Sequence, residues 1–199
     1  NKQELQIAVD LWVDDNATAL ATYGEINSWD VSLITDMSAL FRNKTTFNDD
    51  ISNWDVSNVT TMYQMFDTAT NFNQDLSNWN VSNVLNMAYM FNNSNNFNSD
   101  ISSWDVSHVE NMASMFLSNT SFNADLSTWD VSSVTNMDDM FHGAASFNAD
   151  LSSWDVSLVT SMNGVFAGAT SFNQDISSWN VASVTSMVSM FNHATNFNQ

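Results

Sequence analysis

The sequence predicts an α/β repeat fold: a right-handed solenoid with a parallel sheet of short strands on one face, short helices on the other, and an N-terminal helical cap. Three observations lead there. Trp recurs every 25 residues, at 29, 54, 79, 104, 129, 154 and 179. Phe keeps the same period twice over, at 41, 66, 91, 116, 141, 166 and 191, and again at 47, 72, 97, 122, 147, 172 and 197. Between these markers two apolar spacings alternate, one of strand type and one of helix type. A fixed period held through seven copies without insertion or deletion is the mark of stacked supersecondary units.

Residues 1–25 stand outside the period. Leu5, Ala8, Val9 and Trp12 share one helical face, and Asp14 and Asp15 lie beyond them on the polar side. That pattern suits a cap over the first coil. Residues 26–199 then hold seven repeats in one domain. In the copy that begins at Ile51, the residues Ile51, Trp54 and Val56 have the L-x-x-L-x-L spacing of a leucine-rich repeat. The i, i+2 pair Trp54 and Val56 reads as a short strand. Met62, Met65, Phe66 and Ala69 follow at i, i+3, i+4 and i+7, an amphipathic turn or two of helix. The residue before that Met is Asp36, Thr61, Asn86, Asn111, Asn136, Ser161 or Ser186, all of types that cap helix N-termini. Phe72-Asn73 makes the return.

One such coil cannot bury its apolar face alone. Neighbours must stack, strand beside strand about 4.8 Å apart, giving a rod about 30 Å long. Crossovers are expected to be right-handed. The sequence stops at Gln199, one residue short of the next expected Asp. Further coils or a C-terminal segment are expected in the parent protein.

Charge narrows the partners. Three Lys or Arg face 22 Asp or Glu, a formal net charge of −19. Nucleic acid and anionic membranes both demand cations, so neither is an expected partner. With no Cys there is no disulfide, thiolate site or Cys nucleophile, and no apolar run is long enough to span a bilayer.

Only polar columns are left to carry chemistry. The first is Asp30, Asp55, Asn80, Asp105, Asp130, Asp155 and Asn180, between the inward Trp and Val. On a leucine-rich strand it would face the concave, partner-binding surface. Beside it run Ser32, Ser57, Ser82, Ser107, Ser132 and Ser157, ending in Ala182. A hydrogen-bonded ladder, a partner-binding face and inter-coil Ca²⁺ all stay open for this column. The second column is Asp50, Asp75, Asp100, Asp125, Asp150 and Asp175. Here Asp most simply closes a turn by accepting a backbone N–H two residues on, with Ca²⁺ as the alternative; no other cofactor is expected. Asn48, Asn73, Asn98, Asn123, Asn148, Asn173 and Asn198 read as an asparagine ladder at a tight bend. The Phe and Met columns read as core.

No enzyme is expected. A catalytic pair of carboxylates needs one position made unlike the others, and the acidic columns repeat alike. His108, His142 and His193 occupy three different repeat positions.

The run Phe-Asn-Gln-Asp-Leu-Ser-Asn-Trp-Asn-Val-Ser-Asn-Val at residues 72–84, with its Met-x-x-Met-Phe partner, resembles the BspA-type leucine-rich-repeat surface proteins. It is most similar to their 25-to-26-residue branch in bacterial surface proteins and mycoplasma lipoproteins. The resemblance covers residues 26–199 and implies an extracellular or cell-surface location. It also implies a role in adhesion or in recognition of protein or glycan, with no catalytic residues to carry over. A structural reading competes, in which copies join end to end into a layer or filament. Ice binding ranks lower, because the ranks are Asp and Ser rather than Thr.

Overall fold

A computed structural model describes all 199 residues. Regular helix is confined to its first segment: α1 (Lys2–Asp14) and α2 (Asn16–Tyr23), followed by one 3₁₀ turn at Ile26–Ser28. A reciprocal box of Asn1 and Glu4 satisfies orphan amides at the start of α1. At α2 the Asp15 carboxylate accepts from the Thr18 amide at 3.1 Å and its hydroxyl at 2.7 Å. Leu5, Ala8, Val9 and Trp12 are buried. Trp12 meets the Trp29 ring edge to face at 5.7 Å, and Gln6 Nε2 donates to the Leu40 carbonyl at 3.0 Å. α1 therefore lies against the first coil.

From Glu25 onward the predicted architecture is not what forms. There is no parallel sheet and no row of short helices, so the expected α/β leucine-rich-repeat-like solenoid is corrected to a stack of coils built almost wholly from turns. Each adjoining pair of coils shares one isolated parallel bridge: Asp36 with Thr61, Thr61 with Asn86, and so on to Ser161 with Ser186. The bridge falls on the residue expected to cap a helix.

The hydrogen bonding explains the outcome. Along one coil, Trp54 bonds back to Ile51, Val59 to Val56, Met65 to Met62, Ala69 to Phe66 and Phe72 to Ala69, each an amide to the carbonyl three residues earlier at 2.9–3.1 Å. Alternate amides between these turns point along the stack. Met62, Gln64, Phe66 and Thr68 donate to the carbonyls of Asn86, Ala88, Met90 and Asn92 in the next coil, at 2.9, 3.0, 2.9 and 2.7 Å. A helix would need those four amides for carbonyls four residues back in its own chain; here the neighbouring coil takes them. The chain reaches this geometry through left-handed residues four apart, Gln64 (φ 57°) and Thr68 (φ 61°), with Tyr89 and Asn93, or Gly164 and Gly168, at the same places elsewhere.

The interior is a set of aromatic columns. Phe66 stacks on Phe72 of its own coil at 4.1 Å, and on Phe41 and Phe91 of its neighbours at 5.3 and 5.5 Å. Trp104 stacks on Trp129 at 6.4 Å. Trp54 and Trp79 are each 3% exposed. The indole Nε1 of Trp79 donates to the Ile51 carbonyl of the preceding coil at 3.2 Å, and the bond repeats from Trp54 to Trp179. One cluster of 56 buried residues runs from Leu5 to Met190. In the last coil, Val181, Met187 and Val188 are exposed.

Candidate functional site

All seven residues of the first column, Asp30, Asp55, Asn80, Asp105, Asp130, Asp155 and Asn180, are exposed. They line up one per coil, yet they flank no strand, so the concave-sheet reason for choosing them lapses. Each side chain folds back on its own backbone. The Oδ1 of Asp105 accepts the Ser107 amide at 3.1 Å and the Ser107 hydroxyl at 2.7 Å. The amide bond recurs at every position, from Asp30 to Asn180. Because only an acceptor oxygen is required, Asn serves as well as Asp.

The second column, Asp50, Asp75, Asp100, Asp125, Asp150 and Asp175, is likewise exposed. Every member accepts the amide two residues on, at 2.9 Å. These bonds favour the charged form. The Ser hydroxyl, and after it the Ser amide, holds Asp30, Asp55, Asp100, Asp105 and Asp155 below the usual carboxylate range. For Asp75, Asp125, Asp150 and Asp175 the amide is the larger influence and the hydroxyl second. Like charges in adjoining coils oppose this, as Asp100 and Asp150 do at Asp125, but they lose. Local hydrogen bonds are what make a column of carboxylates tolerable. No group of three or more His, Cys, Asp or Glu side chains converges on a point where a metal ion would sit.

The asparagine column forms a true ladder. The amide of Asn73 donates to Asn48 Oδ1 at 2.8 Å, that of Asn98 to Asn73 Oδ1 at 2.9 Å, and so on to Asn198.

The sequence did not reveal where the cations go. Lys2, Lys44 and Arg42 pair with Asp36, Asp10 and Asp67 at 2.8, 2.8 and 3.2 Å, all at the α1 end. Asp67 is 4% exposed and also accepts from Asn92 Nδ2 at 2.9 Å. Beyond Lys44 the surface carries no basic side chain except histidine. A recess of about 380 Å³ opens between α1 and the first coil, walled by Leu5, Tyr23, Trp29 and Ile34, with Asp30 among its lining residues.

Ser107 lies between Asp105 and His108, but its hydroxyl donates to the carboxylate and stands 3.5 Å from His108 Nδ1. A nucleophilic serine needs the opposite arrangement, with the imidazole taking its proton. His142 Nδ1 lies 2.8 Å from Asp139 Oδ1 at the surface.

Fold and surface together define a repeat protein whose constant apolar residues build the stack and whose constant Asp and Asn residues close its turns at the surface. The chain belongs to the family described as "Mycoplasma protein of unknown function, DUF285", matched over residues 13–129 and 115–199. No curated protein matches it. Among solved structures, the crystal structure of a TLR13–ssRNA13 complex matches at 13% identity with a TM-score of 0.33, over 73% of this chain. The chain spans 24% of that one's length. No helix is long and apolar enough to cross a membrane.

Proposed function

We propose that this chain is a non-catalytic recognition or adhesion module of an extracellular or cell surface, of the BspA type, which binds protein or glycan through its exposed columns. The observation that carries this reading is the split between constant and variable positions. Backbone groups are consumed between coils, and the invariant side chains are consumed in the core or in turns. The turn-closing Asp residues use Oδ1 on their own backbone yet stay exposed, so Asp30, Asp55, Asp105, Asp130 and Asp155 still present charge to solvent along the stack, interrupted by Asn80 and Asn180. Such a row gives many weak contacts to an extended partner, and avidity multiplies them. The end-to-end reading draws less support, because α1 already covers the first coil.

Capture of a partner by the intact chain, followed by affinity measurement, tests it. Asp105→Asn with Asp130→Asn removes two charges while keeping both turns, as Asn80 does at the same place. Weaker binding is expected. Unchanged affinity, with unchanged affinity also for the charge-reversed Lys pair, removes this column from the binding surface.

A further inference from the structure

Recognition requires a place where the repeat stops repeating, and one stands out on the arc that follows the parallel bridge. Of the three tyrosines, two fall there on adjoining coils. Tyr63 is 36% exposed, and its ring meets the half-buried Tyr89 edge to face, with centroids 5.9 Å apart and planes at 82°. Tyr89 holds a left-handed backbone (φ 59°) at a position filled by Gly164 and Ser114 in other coils. Only a few per cent of non-glycine residues adopt that conformation, and bulky ones are outliers. The neighbours in Tyr63's own column are small, Ser38 before it and Ala88 after it, so no long side chain covers the ring.

Around the pair the surface is polar but nearly neutral. Across residues 60–64, 85–89 and 110–114 only Glu110 is charged. Asn86 and Asn111 use Oδ1 to accept the amides of Ala88 and Ala113. Their Nδ2 donors, and the whole Gln64 carboxamide, make no bond within the chain.

We propose that Tyr63 and Tyr89 form a stacking platform for a neutral glycan, with the carboxamides of Gln64, Asn86 and Asn111 donating to and accepting from its hydroxyls. The C–H face of a pyranose ring carries slight positive charge and is apolar, which suits the negative face of a phenol ring. Free carboxamides both donate and accept, as sugar hydroxyls do. Acidic glycans are disfavoured by the net charge of −19. A cationic side chain would want a carboxylate beside the rings; Asp36 and Asp67 are already held by Lys2 and Arg42, and Glu110 stands two coils on from Tyr63. This rests on the recognition reading above but not on the Asp column.

The test uses the intact chain against neutral β-1,3-glucan, β-1,4-glucan, mannan and chitin oligosaccharides, with alginate and poly-lysine as charged comparators, by titration calorimetry. Binding of a neutral glycan is expected, weakened about tenfold or more by Tyr63→Ala or Tyr89→Ala. Tyr89→Phe keeps the stacking face and restores binding. The proposal is overturned when no neutral glycan in the set binds, when both alanine variants bind as the parent does, or when poly-lysine alone binds. Loss of partner binding in the Asp105 and Asp130 variants, with glycan binding intact, would separate the two surfaces.

Discussion

Cutting one ring from the middle of the aromatic column should cost far more than cutting its counterpart from the last coil. Phe116 is fully buried between Phe91 and Phe141, at 5.8 and 5.7 Å, and stacks on Phe122 at 3.8 Å. Phe116→Ala removes a whole ring from a site that a rigid stack cannot close. The expected loss is about 3–5 kcal/mol. Phe191 is only partly buried, with Phe166 at 5.6 Å and Phe197 at 4.1 Å. There the same substitution should cost about 1–2 kcal/mol, in proportion to the apolar area it had removed from water. Urea unfolding followed by tryptophan fluorescence reads both, since Trp104 and Trp129 flank the central site and stack at 6.4 Å. A central loss below about 1 kcal/mol, or equal losses at the two sites, would refute a core shared between coils.

Four further outcomes are expected. Trp104→Phe keeps a six-membered aromatic ring but removes the pyrrole half of the indole, with the Nε1 donor that reaches the Leu76 carbonyl at 2.9 Å; the orphaned acceptor alone should cost about 1–3 kcal/mol in the same urea assay, and the void adds to it. Gly164→Ala places a methyl against Asp139 Oδ1 at a left-handed position (φ 60°); a loss of about 1–2 kcal/mol is expected, partly recovered by adding Asp139→Ala. For pH the sign follows from the depressed carboxylates: their stabilisation is complete above the unfolded pKa and is lost as pH falls through the lower folded value. The melting temperature by circular dichroism should thus be level near neutrality and fall below about pH 4. At pH 7 added NaCl should raise it by screening the acidic columns; chelator should leave it unmoved, and CaCl₂ should raise it no further than NaCl of equal ionic strength, because no three carboxylates converge.

The 25-residue period made the core legible. Residues that recur at one place in every coil share one environment, so the buried Phe, Met and Trp columns could be read directly, as could the asparagine ladder and the Asp turns. Local structure was harder to read. Inward residues at 51, 54, 56, 59, 62, 65, 66, 69 and 72 contain both a two-residue and a three-to-four-residue spacing, which mimic a strand and a helix. A chain of three-residue turns yields the same spacing, because each turn returns an apolar side chain inward. One signal pointed the right way. Asn43, Asn93, Gly143 and Gly168 sit at one repeat position inside the supposed helix, and these are residue types that tolerate the left-handed region. A second feature was neutral: Asp36, Asn86, Asn111 and Asn136 accept the amide two residues on, as at Ser38 and Ala88. An N-cap residue accepts from nearly the same place, so the side-chain chemistry fitted either backbone.

What the coil does with its hydrogen bonds also limits where function can reside. Amides at four positions per coil are spent on the next coil, the indoles on the previous one, and Asp and Asn on turns. A substitution at any of these places weakens the stack before it alters the surface. Variation is free only where a side chain neither packs inward nor caps a turn. The exposed residues Leu33, His108 and Leu158 show it, unlike in size and charge at one repeat position, whereas Asn58, Asn83 and Ser133 at the same position donate to the Ser32, Ser57 and Ser107 carbonyls of the preceding coil. Selectivity must be written in such positions, and Tyr63 and Tyr89 are the largest side chains the lateral surface places there. On the proposed recognition reading, the carboxylate row, broken at Asn80 and Asn180, would supply strength without discrimination, and a pair of rings at one point along the stack would supply discrimination without needing the row.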